Sequence, residues 1–127
     1  MNDYSVKREF TRVPIHIWGT FREGGQERVT AEISQISLRG CYACTFDTLP
    51  AGTELNLTLF TEDDTHALHI EVAARIVRSD DNGMGVEFTE MPLESYDHLR
   101  KMVLLNSNEP EKVEREFRTH IGLKRAG

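Results

Sequence analysis

"VPIHIWGTF", residues 13–21, is the stretch on which the fold turns. Val13, Ile15 and Ile17 alternate with Pro14, His16 and Trp18, and Phe21 keeps the apolar parity. Successive side chains of an extended strand point to opposite faces, so this is a strand with one dry and one wet face. The same period of two returns along the chain. Val29, Ala31 and Ile33 alternate with Thr30 and Glu32, and Leu55, Leu57 and Leu59 with Asn56 and Thr58. Ile70, Val72, Ala74 and Ile76 alternate with Glu71, Ala73 and Arg75. A short run from Cys41 to Phe46 and the late "MGVEF" complete the set. "EGG" at 23–25, "LPAG" at 49–52 and "SDDNG" at 79–83 punctuate it as turns, the last a hairpin turn in which Asn82 and Gly83 suit positive φ. Six or seven short, one-faced strands between turn signals favour an antiparallel barrel or sandwich over a parallel sheet.

After Pro92, a residue suited to a first helical turn, the period changes. Leu93, Tyr96, Leu99, Met102, Val103 and Leu105 follow steps of three and four as far as Asn106. This is a helix with an apolar stripe to pack on the strands. Beyond Pro110 the tail is highly charged, with Val113, Phe117 and Ile121 four residues apart, the pattern of a short second helix or of a partly disordered extension. With 127 residues, the chain suits one domain with a single core. It divides into an arm (1–12), a strand-and-helix body (13–106) and a charged C-terminal extension (107–127).

The net charge of −6 argues against coating long nucleic acids, which requires many neutralised phosphates. A few converging arginines can still hold a small anion, because salt screens distant charges beyond about 8–10 Å. No run approaches the roughly 18 apolar residues of a membrane span. "MNDYSVKREF" lacks the apolar segment of a secretory signal, so a cytoplasmic location is expected. Cys41 and Cys44 in "CYAC", and His66 and His69 in "HALH", hint at zinc. Both pairs fall in strand-like segments, where residues three apart face opposite ways, so no metal site is expected. No nucleophilic triad or phosphate loop is in view. The acid pairs Asp63–Asp64 and Asp80–Asp81 sit in turns, and an enzyme is not expected.

Three segments remain: "REFTR" at 8–12, "QISLRG" at 35–40 and "GMGVEF" at 83–88. Over roughly residues 5 to 105, their order and placement resemble the PilZ domain family. That family carries R-x-x-x-R before its barrel, D/N-x-S-x-x-G between strands, and a late glycine-rich strand. The resemblance implies a mainly β fold, a six-stranded antiparallel β-barrel with a C-terminal α-helix packed on it. It also implies a bacterial receptor for cyclic di-GMP. Arg8 and Arg12 would contact phosphates and guanine edges, Ser37 and Gln35 would hydrogen-bond a guanine, and Gly40 would let the backbone pass close to the ligand.

The chemistry of those residues agrees. A planar guanidinium matches guanine O6 and N7, or a phosphate, with two parallel hydrogen bonds, and it stacks on bases. Gln35 stands where the family has Asp or Asn. It keeps an amide donor and acceptor but is one methylene longer and lacks the charge, so weakened binding is expected. Arg39 and Arg75 (or Arg78) could add positive charge to the ligand face, and Trp18 could stack on a base or pack. The implied partners are cyclic di-GMP and a protein of motility, exopolysaccharide synthesis or secretion, with no further cofactor, and with the chain a monomer or homodimer. The alternative is a PilZ-like adaptor that binds protein and no nucleotide.

Overall fold

The computed structural model describes residues 10–62, 67–119 and 124–126. The strands are β1 (Val13–Glu23), β2 (Gln26–Ile36), β3 (Gly40–Cys44), β4 (Glu54–Glu62), β5 (Ala67–Ser79) and β6 (Gly83–Pro92). Two helices follow, α1 (Leu93–Leu105) and α2 (Pro110–Thr119), and then a short β7 (Lys124–Ala126). Strands β1 to β6 pair antiparallel in the order β3-β2-β1-β4-β5-β6, and β3 pairs again with β6. The six strands therefore close into a barrel, which removes the sheet edges that would otherwise invite aggregation. β7 lies outside this ring and pairs parallel with the end of β6.

The alternating residues fill the barrel. Phe21, Ile33, Leu57, Leu59, Ile70, Ile76, Met84 and Phe88 are all fully buried. Each such side chain contributes about 1.5–3 kcal/mol relative to exposure. The β1–β2 hairpin turns on Gly24 and Gly25, whose φ values of 61° and 82° suit a residue without Cβ. The turn before β6 is made differently from expectation. Neither Asn82 nor Gly83 has positive φ. Instead the Asp80 carboxylate accepts hydrogen bonds from the Asn82 and Gly83 amides at 2.8 and 2.9 Å, a side-chain-made turn.

α1 buries Tyr96, Leu99, Met102 and Val103 as expected. Leu93 and Leu105, placed on the same stripe by the sequence, stand at the first and last positions of the helix and are 59% and 86% exposed. Pro92 is the cap that precedes the first turn, with an extended ψ of 155°. The Ser95 hydroxyl accepts from the Glu71 amide at 3.2 Å and ties α1 to β5.

Between Pro110 and Thr119 the tail is a helix built on Val113 and Phe117, and both join the buried cluster. The Tyr96 hydroxyl donates to the Phe117 carbonyl at 2.5 Å, and their rings pack 5.4 Å apart. Ile121 lies outside the described residues. No helix among the described residues is long and apolar enough to cross a membrane.

Candidate functional site

A cleft of about 320 Å³ opens on the outside of the barrel where β3 meets β6. Its rows follow from strand register. Gln35 lies opposite Tyr42, Tyr42 opposite Gly85, and Gly85 opposite Arg78. Two residues along, Gly40 lies opposite Glu87, and Glu87 opposite Arg75. Side chains within one row share a face.

Register slips aim two of these residues. Strict alternation from Ile33 would turn Gln35 inward. An irregularity between Ile33 and Gln35 leaves Gln35 exposed and sends Ile36 into the core instead. A second irregularity, between Ile76 and Arg78, leaves Val77 and Arg78 both outward. Bulges of this kind re-aim side chains beside functional sites.

The turn between β2 and β3 is self-supporting. The Ser37 amide donates to the Gly40 carbonyl at 2.9 Å, and the Ser37 hydroxyl accepts from the Arg39 amide at 3.2 Å. Gly40 has no positive φ. A Cβ there would lie 2.1 Å from the Val86 carbonyl oxygen, so the glycine is dictated by the close approach of β3 to β6. A Cβ at Gly85 would meet the Arg78 side chain at 3.1 Å, so Arg78 lies across that glycine.

The cleft is cationic within an acidic chain. Among the described residues, Arg12, Arg39 and Arg78 line it against one lining carboxylate, Glu87, with Asp80 4.0 Å from Arg78 at its margin. Glu87 takes Arg75 at 2.5 Å and Arg39 at 3.7 Å. Burial, and then the like charge of Arg78, lower the pKa of Arg12 from its ordinary value, yet an arginine keeps its charge at neutral pH. Like charge beside a partly buried guanidinium favours an anion in the same cleft. Flat surfaces accompany the charge. The Arg39 guanidinium lies 5.7 Å from the Phe10 ring centre, and that of Arg78 5.8 Å from the Tyr42 ring centre, both within cation–π range. The Tyr42 hydroxyl donates to Asp80 at 2.8 Å; burial first, and then this bond, push its pKa up to about 12.

Of the residues singled out in the sequence, Arg12, Gln35, Ser37, Arg39 and Gly40 come together in this cleft. Arg75 reaches it through Glu87. Trp18 does not. It lies in a row with Glu32 and Phe60, away from the cleft and 52% exposed, neither a wall of the cleft nor buried packing. Arg8 lies outside the described residues, as do His66, Asp63 and Asp64. Cys41 and Cys44 are free, and burial raises the Cys41 pKa. Sequence reasoning missed Phe10, Tyr42, Val77, Gly85 and Glu87 as lining residues. Phe10, Gly85 and Glu87 lie within the segments "REFTR" and "GMGVEF", Tyr42 and Val77 only on strands, and register alone shows which of them meet.

No curated protein matches the chain. Two solved structures share the fold. The inhibitor of motility MotI/DgrA from Bacillus subtilis is 19% identical with a TM-score of 0.62 over 90% of this chain. This chain spans about half, 53%, of that protein's length. The PilZ domain of CeSA from a cellulose-synthesizing bacterium is 18% identical with a TM-score of 0.57, covering 73% of this chain and 94% of that one. The PilZ domain family model matches residues 6–105, which include the arm from Val6 onward, the turn after β2, the closing strands and α1. With that span matched and the six-stranded barrel closed between β3 and β6, the chain belongs to the PilZ domain family.

Proposed function

We propose that the chain is a cyclic di-GMP receptor whose ligand sits in the cleft between the arm and the β3–β6 seam. The observation that carries this is the convergence of Arg12, Gln35, Ser37, Arg39 and Arg78 on one cavity of about 320 Å³. That volume falls within the roughly 300–1,000 Å³ range of small-molecule sites. PilZ domains are generally cyclic di-GMP receptors and not enzymes, which supports the reading. Guanidiniums supply the forks for phosphate and for guanine O6 and N7, and the Arg78–Tyr42 and Arg39–Phe10 pairs supply flat walls for a base. In this reading Arg8, by its place in the arm motif, supplies a further guanidinium to the ligand. Ligand binding ties the arginines of the arm to the nucleotide and changes the surface offered to a protein partner in the cytoplasm. The likeness to a motility inhibitor favours the motility machinery among the possible partners.

Calorimetry with cyclic di-GMP tests this on the intact chain, on Arg8→Ala/Arg12→Ala and on Gln35→Asn. The intact chain should bind at micromolar ligand, the double variant should lose at least tenfold in affinity, about 1.4 kcal/mol or more, and Gln35→Asn should bind more tightly. No heat from the intact chain would contradict the receptor reading. If Gln35→Asn is also silent, the adaptor reading takes its place. Two observations favour that reading: the missing carboxylate at position 35, and Glu87 already occupying Arg39 and Arg75.

A further inference from the structure

Glu116 stands on α2 and is only 6% exposed. Carboxylates are seldom so buried without partners. Both of its oxygens accept from one residue of the arm. The Thr11 amide donates to Oε1 at 2.9 Å, and the Thr11 hydroxyl donates to Oε2 at 2.6 Å. The two residues are 105 positions apart in the chain. Thr11 precedes β1, so its amide has no place in the strand ladder and must be satisfied elsewhere. Its neighbours on either side, Phe10 and Arg12, both line the cleft.

We propose that Glu116 is a positioning residue for the ligand site: through Thr11, helix α2 holds the part of the arm that presents Arg12 and Phe10 to the cleft. Charge-assisted hydrogen bonds are short and strong, and two from one carboxylate to one residue fix an orientation as well as a distance. α2 is a firm base for this. Val113 and Phe117 are buried, the Phe117 carbonyl accepts from Tyr96, and Glu114 takes Arg100 of α1 at 3.1 Å. The C-terminal helix is thereby built into the binding site without touching it. By linkage, whatever tightens the arm also tightens α2. The consequence for affinity rests on the proposed function above; the latch itself does not.

Two measurements on the full chain separate these. The first is calorimetry with cyclic di-GMP on the intact chain, Glu116→Ala, Glu116→Gln, Arg12→Ala and Arg12→Ala/Glu116→Ala. Glu116→Ala should weaken binding roughly tenfold. Glu116→Gln can still accept from the amide and donate to the hydroxyl, so it should restore most of that loss, and it keeps the test open if the alanine variant does not fold. The double variant should lose clearly less than the sum of the two single losses, since the glutamate acts in large part by placing that arginine. Unchanged affinity in Glu116→Ala, or fully additive losses, would overturn the positioning role.

The second measurement is amide hydrogen exchange without ligand. The Thr11 amide should be protected in the intact chain and exchange about tenfold or more faster in Glu116→Ala, while Ile33 and Val72 keep their protection. A Thr11 amide that exchanges at the free-peptide rate in the intact chain would overturn the latch, whether or not cyclic di-GMP binds.

Discussion

A methyl group on residue 40 would lie 2.1 Å from the Val86 carbonyl oxygen, which no packing adjustment of side chains can relieve. The glycine of the "QISLRG" segment thus serves the barrel seam before it serves a ligand. Gly40→Ala should lower stability by on the order of 1–3 kcal/mol, the usual range for overpacking, in a denaturant titration without any ligand. An alanine variant as stable as the parent would return the glycine to a purely ligand-clearing role. At this scale the arginine arm and the serine turn were legible as motifs. What the serine does was not. Its hydroxyl already accepts from the Arg39 amide, so part of the motif's chemistry is spent on the turn that presents it.

Among the elements, the strands were readable because alternation survives any register, and α1 because its stripe is long. The cleft was not readable, because it depends on two places where alternation breaks. The slip between Ile33 and Gln35 and the slip between Ile76 and Arg78 turn outward side chains that a strict period of two would misplace. The β5–β6 hairpin next to the second slip gives a pH prediction. The Tyr42 hydroxyl first, and then the Asn82 amide, hold the Asp80 carboxyl below its ordinary value of 3.8. A carboxyl depressed in the folded state contributes stability above its unfolded pKa and loses it as pH falls through the folded value. Asp80→Asn should therefore lower the melting temperature at about pH 7 and do so less at about pH 3. An equal loss at both pH values would show that the carboxylate charge is not what holds the turn. The exposed position of Asp80 keeps the effect modest.

For the whole molecule, the barrel is legible in the sequence, whereas the C-terminal tail stays open there between a short second helix and a partly disordered extension. The tail's role turns on Glu116 meeting Thr11 across the full length of the chain, a contact that no local pattern encodes. The same long-range closure, β3 onto β6, sets Arg39 and Gly40 beside Glu87 and Gly85 and so creates the cleft. The central claim is that cyclic di-GMP occupies that cleft, and amide chemical-shift mapping by NMR during a cyclic di-GMP titration tests it most directly. The expected result is a set of shifts centred on Arg8–Arg12, Gln35–Tyr42, Val77–Arg78 and Gly85–Glu87, with the Trp18, Phe60 and His69 amides across the barrel unmoved. Saturating shifts centred on Trp18, Phe60 and His69, or no shifts at millimolar ligand, would contradict it.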